Sequence, residues 1–318
     1  MRVVKFFGWT ALVATAMTLM ILTLIELFSR TLSGFFLLII FGLLMGYALI
    51  RQFRSNVDST AWTLSKQDWL DFLFVYFASI VTYNLHQYGY VSAVLASGLV
   101  GVIGAAVFKK HEKAIYAGSF LGMAMIGVFP PWPFIVAGLL SAIIFVYSKP
   151  LFKGVGGKLG TIAFAGGILS WLINDLSFTV LRTFDFGEGL ILILIAVFAA
   201  LATRILTKIK GVSVVLSSAI IGILLALSFD YFGFGLSPYL AICGFGASFV
   251  GMSDDTQLKS LISVAAGGLI FALIFIFAAP LFGGSGGKLG TMAFIASLTV
   301  IGLRMIIERF IFKPSIKA

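Results

Sequence analysis

Residues 150–164 read PLFKGVGGKLGTIAF, and residues 280–294 repeat the phrase as PLFGGSGGKLGTMAF. Twelve of the fifteen positions are identical, although the surrounding sequence is a uniform background of hydrophobic residues. Both copies are rich in glycine, contain GGKLGT and lie between long apolar runs. Such a repeat predicts a duplicated chain in which each half carries a break in a membrane-embedded helix.

The composition indicates a membrane protein. Hydrophobic residues make up 60% of the 318 residues, charged residues make up 11%, and the mean hydropathy is +1.12. These values are typical of a polytopic all-α membrane protein and exclude a soluble globular domain. The net charge of +10 comes from basic residues in short connections between apolar runs, so it predicts no nucleic-acid partner. The single Cys243 excludes a disulfide framework.

Twelve apolar stretches are long enough to be considered as helices. The first continues to about Leu27, which predicts an uncleaved transmembrane helix rather than a signal peptide. The stretches at 114–129 and 237–252 are short and contain glycine, so they are either tilted spans or re-entrant segments. The stretches are 6–28, 34–50, 69–85, 90–108, 114–129, 132–148, 160–176, 189–206, 212–229, 237–252, 258–279 and 290–310.

Basic residues in the connections predict the topology. They form five groups: Arg51, Arg54 and Lys66; Lys109, Lys110 and Lys113; Lys149 and Lys153; Lys208 and Lys210; and Arg309, Lys313 and Lys317. All five groups lie on the cytoplasmic face only if both short segments cross the membrane. The chain would then have two leading helices (1–67), a first repeat (68–185) and a second repeat (186–318), with both termini in the cytoplasm. The location expected is a bacterial inner (plasma) membrane.

An odd number of spans in each repeat predicts that the two five-helix repeats are inverted relative to each other. Two shorter matches occur in the same order in both halves: VLASGLVG at 94–101 with VLSSAIIG at 215–222, and SFLGM at 119–123 with SFVGM at 248–252. If both short segments are re-entrant instead, each unit has four spans and the repeats are parallel. That alternative would place the connection with Lys149 and Lys153 outside the cell.

The two GGKLGT segments are the main candidate site. Their glycines allow backbone groups to face a cavity, and the helix expected to begin at about residue 160 or 290 would point its N-terminus at that cavity. A lysine near a helix N-terminus, found twice, indicates an anionic or carbonyl-bearing solute, or a lipid phosphate. The alternative is an interfacial turn whose lysine reaches the lipid headgroups. The candidate residues are Gly157, Lys158, Thr161, Gly287, Lys288 and Thr291.

A second candidate group lies on the short segments. Ser119 and Ser248 would supply hydrogen-bonding groups along a pathway, and Phe120 and Phe249 would form apolar gates. The alternative is a seam of small residues where helices pack closely.

Several chemistries are not supported by the sequence. The acidic residues lie near predicted span ends, so coupling to protons or sodium through buried carboxylates is not expected. His86 and His111 fall in predicted connections, where a solvated role is expected. No phosphate-binding, metal or nucleophile motif is present, so neither an enzyme nor a cofactor is predicted.

The order of these motifs resembles that of the bacterial urea transporters. In each half a VLASGLVG-type helix precedes a segment such as GFGASFVGM (244–252), and then KLGTIAF or KLGTMAF follows. The resemblance covers roughly residues 88–176 and 210–310. It implies two inverted five-helix halves, with Thr161 and Thr291 as pore-lining hydroxyls and Phe120 and Phe249 as aromatics near the pore. The chain lacks the prolines of the family's LPxLTxPF motif and its paired asparagines.

Taken together, the sequence predicts a membrane channel or facilitative transporter for a small polar or anionic solute. The pathway would run at the interface of the two inverted repeats. The alternatives are an ion-coupled secondary transporter and a membrane-embedded lipid-handling protein. The partners expected are the lipid bilayer and the solute, and a homo-oligomer is compatible with the sequence.

Overall fold

A computed structural model describes residues 2–57, 64–89, 91–179, 182–229 and 235–310. Within those ranges the chain forms twelve α-helices and no β-sheet. Each helix overlaps one of the twelve predicted stretches, which confirms the all-α class. The helices are α1 (Arg2–Arg30), α2 (Leu32–Val57), α3 (Lys66–Tyr88), α4 (Ala93–Val107), α5 (Glu112–Gly122), α6 (Pro131–Ser148), α7 (Lys158–Asn174), α8 (Phe186–Leu206), α9 (Val214–Phe229), α10 (Ser237–Gly251), α11 (Leu261–Ala278) and α12 (Lys288–Phe310).

Six of the helices are long and apolar enough to cross a membrane: α1, α2, α6, α8, α11 and α12. A chain with six such helices is a polytopic helical membrane protein. Lys313 and Lys317, which the sequence assigns to a basic tail, lie outside the described residues.

The two short segments differ in length from the full spans. Helix α5 has 11 residues and α10 has 15, which correspond to about 16 Å and about 22 Å at 1.5 Å per residue. Both lengths are below the roughly 30 Å thickness of the hydrocarbon core. Residues 123–130 follow α5 as an irregular segment, so they would have to complete any crossing that α5 begins.

The sequence predicted that the repeated phrase breaks a membrane-embedded helix, but the phrase connects two separate helices. Ser170 of α7 donates a hydrogen bond to the carbonyl of Pro133 at 2.6 Å, and Ser141 of α6 donates to the carbonyl of Ala163 at 3.3 Å. Helices α6 and α7 therefore run antiparallel as a hairpin. The expected broken helices are replaced by two hairpins, closed by a first loop (149–157) between α6 and α7 and a second loop (279–287) between α11 and α12.

The helix starts have local causes. Ser65 and Asp68 form a reciprocal capping box at the start of α3, and Asp185 and Glu188 form another at the start of α8. In each box a side chain accepts a hydrogen bond from a backbone N–H that has no partner inside the helix. The same chemistry therefore orients the first helix of each predicted repeat.

The two leading helices pack beside the hairpins. The hydroxyl of Thr299 on α12 donates to the carbonyl of Phe41 on α2 at 3.3 Å, and a Cβ at Gly302 would collide with the carbonyl of Leu44. Close backbone approach at a glycine is a common way for membrane helices to gain contact. Helix α1 contacts α6, α7, α11 and α12.

Candidate functional site

The two hairpin loops have the same backbone conformation. At three matched positions the backbone lies in the left-handed region, which residues other than glycine rarely adopt. The φ angles are 46° at Phe152 and 51° at Phe282, 74° at Gly154 and 79° at Gly284, and 81° at Gly157 and 84° at Gly287. The repeated phrase is thus also a repeated structure, because glycine occupies two of the three left-handed positions in each loop.

Helices α7 and α12 cross antiparallel at their first turns. A Cβ at Gly157 would collide with the backbone of Phe294, and a Cβ at Gly287 would collide with the backbone of Phe164. Each loop therefore touches the other helix two turns beyond its start. Contacts that pair the start of one helix with a later turn of the other require the two helices to run in opposite directions.

The crossing point itself lies at Gly160 and Gly290. A Cβ added to Gly160 would lie 2.6 Å from the Cα of Gly290, closer than any side chain tolerates. Two backbones can approach this closely only where both residues are glycine. The last glycine of GGKLG in each copy is therefore needed for contact between the halves.

Each hairpin loop is also bonded to the segment that follows the short helix of the other half. The amide of Asp254, just after α10, donates to the carbonyl of Gly154 at 2.9 Å. The amide of Met125, after α5, donates to the carbonyl of Gly284 at the same distance of 2.9 Å. The two halves thus hold each other through contacts that recur at matched positions.

Two cavities lie beside the loops. The basic cavity, of about 410 Å³, is lined by the first loop together with Lys113, Lys149, Lys153, Lys158 and Asp254. The apolar cavity, of about 300 Å³, is lined by the second loop together with Met123, Met125, Ile242, Phe275, Phe282 and Lys288.

Phe120 and Phe249 line both cavities. Their ring centroids are 4.5 Å apart, and each residue is 2% exposed. On α5, Lys113 near the start lines the basic cavity, while Met123 just after the end lines the apolar cavity. The two cavities therefore lie at opposite ends of α5, with the phenylalanine pair between them.

Helix α10 shows the reverse order. Tyr239 near its start lines the apolar cavity, and Met252 just after its end lines the basic cavity. Helices α5 and α10 consequently run in opposite directions between the two cavities. Phe120 and Phe249 lie between the two cavities in this arrangement.

Ser119 and Ser248 do not line either cavity. Ser119 is hydrogen bonded to Ser97 at 2.9 Å, and Ser248 is hydrogen bonded to Ser218 at 2.7 Å. The Tyr116 hydroxyl joins the second pair at 2.9 Å from Ser218. All of these hydroxyls are buried, so their role in this structure is to connect α5 with α4, and α10 with α9.

Lys158 and Lys288 begin α7 and α12 but direct their amines at the end of the preceding helix. The amine of Lys158 donates to the carbonyls of Lys149 at 3.1 Å and Leu151 at 2.5 Å. The amine of Lys288 donates to the carbonyls of Ala278 at 2.8 Å and Ala279 at 3.3 Å, and also to that of Leu281.

These bonds explain the lysines without an anion. The last carbonyls of a helix lack internal partners and carry the negative end of the helix dipole, which a cation stabilises. Because each hairpin brings the end of one helix next to the start of the next, Lys158 completes α6 and Lys288 completes α11. Lys158 and Lys288 therefore do not require an anionic ligand at these helix starts.

Thr161 and Thr291 are fully buried and do not line the cavities. The Thr161 hydroxyl donates to the carbonyl of Gly157 at 3.1 Å, one turn earlier. The Thr291 hydroxyl has no hydrogen-bond partner among the described residues. The structure thus places Gly157, Lys158, Gly287, Lys288, Phe120 and Phe249 on the cavity walls, and the two threonines behind them.

A buried ionic cluster adjoins the basic cavity. The amine of Lys149 lies 2.7 Å from a carboxylate oxygen of Asp68 and 2.6 Å from one of Asp71, and the other Asp71 oxygen lies 2.6 Å from Nδ1 of His111. Both aspartates are 3% exposed. Burial alone would lower the pKa of Lys149, but its hydrogen bonds to the two carboxylates outweigh burial and raise it.

The sequence interpretation missed this cluster. It expected a solvated His111, but the side chain of His111 is 13% exposed and is bonded to Asp71. A signal was present in the sequence, because Asp68 and Asp71 are three residues apart on one helix and therefore share a face. Their common partner, Lys149, follows α6 and could not be assigned without the hairpin.

The second half has no such cluster at the matched positions. Gly122 of α5 packs against Thr82 of α3, and Gly251 of α10 packs against Thr203 of α8. Thr82 and Thr203 therefore occupy matched positions in α3 and α8. When the two helices are aligned at these threonines, Leu192 on α8 corresponds to Asp71 on α3. Ala279 likewise stands at the second loop where Lys149 stands at the first.

Comparison of the chain with protein-family models, with curated proteins and with solved structures gave no match. The resemblance to urea transporters therefore remains a prediction from the order and spacing of motifs.

Proposed function

We propose that the chain is a membrane channel or facilitative transporter for a small polar or anionic solute. The pathway runs from the basic cavity, past Phe120 and Phe249, to the apolar cavity. The observation that carries the proposal is that both cavities share this phenylalanine pair and lie at opposite ends of α5. A narrow apolar constriction between two wider spaces is a recurring way to gate a pathway.

The proposal includes two inverted five-helix repeats, α3–α7 and α8–α12. The antiparallel crossing of α7 with α12, the opposed directions of α5 and α10, and the matched backbone bonds between the halves all support it. Parallel repeats would require equivalent helices to run in the same direction. The twofold axis would pass close to the contact of Gly160 with Gly290.

The basic cavity is expected to open to the cytoplasm. Lys113, Lys149 and Lys153 line it directly, and the connection with Lys208 and Lys210 leads into α9, whose Val214 also lines it. Lysine-rich connections are retained on the cytoplasmic side of helical membrane proteins. The apolar cavity would then open to the opposite side.

Thiol labelling from each side of the membrane tests this arrangement. Ala93 is the first residue of α4 and lines the apolar cavity, whereas Val214 is the first residue of α9 and lines the basic cavity. We expect a membrane-impermeant maleimide to label Val214→Cys in inverted vesicles and Ala93→Cys in spheroplasts. Native Cys243 is fully buried and gives the background level. Labelling of both variants from the same side would contradict the inverted arrangement.

Flux in liposomes tests transport itself. Modification of Val214→Cys with a bulky thiol reagent should reduce uptake of an anion such as methanesulfonate, because the reagent occupies the basic cavity. Lys110→Cys is the matched control, since Lys110 is exposed and does not line either cavity. Uptake no faster than in protein-free liposomes would contradict the proposal.

An ion-coupled secondary transporter is the second candidate. The buried cluster of Asp68, Asp71, His111 and Lys149 favours it, because buried ionisable groups beside a pathway are the usual means of coupling to protons. Concentrative uptake driven by an imposed pH gradient would support this candidate. Equal uptake with and without the gradient would support the passive one.

A further inference from the structure

The apolar cavity differs from an ordinary ion vestibule in the chemistry of its walls. Its side chains include Met123, Ile242, Phe275 and Phe282, in addition to the shared phenylalanine pair. Among the described residues that line it, Lys288 is the only lysine or arginine, and none is a carboxylate. A concave, mostly apolar space with a few polar groups is the usual form of a small-molecule site.

The matched positions of the two cavities show where this character comes from. Four charged residues of the basic cavity are replaced in the apolar cavity by residues without charge. At the aligned positions, Ile242 corresponds to Lys113, Ala279 to Lys149, Gly283 to Lys153 and Met125 to Asp254. The lysine of GGKLGT and the phenylalanine pair are present on both sides.

We propose that the apolar cavity binds a small organic anion that has an apolar body. The proposal rests on the proposed function and names the substrate class of the same pathway. A hydrated inorganic ion would have to leave its water beside aromatic and aliphatic walls that cannot replace it. An apolar body placed against the same walls is stabilised by removal of both surfaces from water.

The same cavity provides a positive potential for the anionic end of such a solute. The amine of Lys288 has no donor left for a ligand, because it is bonded to three carbonyls at the end of α11, so it acts on an anion only through its charge. The hydrogen-bond donors are the backbone N–H groups at the start of α12, where Lys288 and Leu289 line this wall. Phe275 and Phe282 line the part of the cavity that would hold the apolar body.

The cavity size limits the class further. A volume of about 300 Å³ lies at the lower end of the range for small-molecule sites, roughly 300–1,000 Å³. This space accommodates a monocyclic organic anion. The inferred substrates are therefore small organic anions.

Benzenesulfonate and methanesulfonate are suitable probes, because both are permanent anions and differ in the apolar body. We expect benzenesulfonate to raise the thermal denaturation midpoint of the purified protein. The same rise should require at least a tenfold higher concentration of methanesulfonate. Ala93→Phe places a ring in the apolar cavity and should raise the benzenesulfonate concentration for half-maximal stabilisation at least tenfold. Val214→Phe, the matched change in the basic cavity, should leave that concentration within about threefold.

The outcomes separate this inference from the proposed function. Equal stabilisation by both sulfonates, or no effect of Ala93→Phe in a protein that remains folded, would overturn the inference. Uptake of methanesulfonate in liposomes would in that case still support the transport pathway. Conversely, benzenesulfonate binding that Ala93→Phe weakens, without uptake of any solute, would support the site and contradict transport.

Discussion

The basic and apolar cavities share one loop design but have different charges. In both, a loop with three left-handed residues ends in a lysine that completes the preceding helix, and both reach the same phenylalanine pair. The basic cavity adds Lys113, Lys149, Lys153 and Asp254. The left-handed residues and the helix-completing lysine are common to both cavities because the loop backbone requires them, whereas the residues that differ line the open space.

The structure that the two cavities share should be most sensitive to substitution where α7 crosses α12. We expect Gly160→Leu to yield no folded protein, because the new side chain would meet the backbone of Gly290 and neither helix can move without losing its hairpin contacts. Gly46→Leu on α2 is the control, since no atom lies within 4 Å of a Cβ at that position. Monodispersity after purification and the denaturation midpoint measure the effect. A folded Gly160→Leu protein would show that the crossing is not essential.

The ionic cluster is the largest difference between the two halves. Asp71→Leu should destabilise the protein by about 3 kcal/mol, because it removes the buried carboxylate that Lys149 and His111 share, although Asp68 still pairs with Lys149. The second half has Gly189, Leu192 and Ala279 where the first half has Asp68, Asp71 and Lys149. Adding Lys149→Ala to Asp71→Leu should lower the stability further, since it leaves the buried carboxylate of Asp68 without its amine partner. A double variant that is as stable as the single variant, or more stable, in denaturation experiments would contradict this account.

The lysines that complete helices should contribute more to stability than the exposed Lys153. Lys288→Met should cost about 1.5–3 kcal/mol, because it removes charged hydrogen bonds to carbonyls at the end of α11. Lys153→Met should change stability by less than about 0.5 kcal/mol, since Lys153 is exposed. Thermal denaturation of the two variants side by side checks the prediction. If both variants lower the denaturation midpoint by a similarly small amount, Lys288 does not stabilise α11, and the alternative of a contact with lipid headgroups is favoured.

The smallest expected effect concerns charge on the basic cavity. Lys113→Ile with Lys153→Gly copies Ile242 and Gly283 of the apolar cavity and should lower methanesulfonate uptake roughly tenfold, or about 1.4 kcal/mol. Uptake of a neutral solute such as urea should not change. Lys110→Gln, which removes an exposed charge outside the cavity, is the matched control. If urea uptake falls as much as anion uptake, the lysines shape the cavity instead of attracting the solute.

Much of the fold could be predicted from the sequence because hydrophobic length and glycine-rich breaks act locally. Each of the twelve apolar stretches overlaps a helix, and the repeated phrase marks the two loops with matching left-handed residues. The count of five spans in each repeat already requires the chain to reverse at the phrase, but the description of the phrase as a break inside one helix was wrong, since glycine and lysine in sequence do not show whether a helix resumes or a new one begins. That choice depends on contacts such as Ser170 with Pro133, which are 37 residues apart.

The site was only partly predictable for the same reason. Glycine-rich composition and repetition by themselves identified Gly157, Lys158 and their counterparts, and spacing identified Phe120 and Phe249. Which of these line a cavity, and that the lysines complete helices, was decided by the tertiary structure, because both properties arise where separate helices meet. The cluster around Asp71 joins α3, the start of α5 and the end of α6, so its charges become partners only after the hairpin has formed. Hydrophobicity and turn chemistry are local properties that a sequence contains, whereas burial of a charge depends on every helix that packs against it.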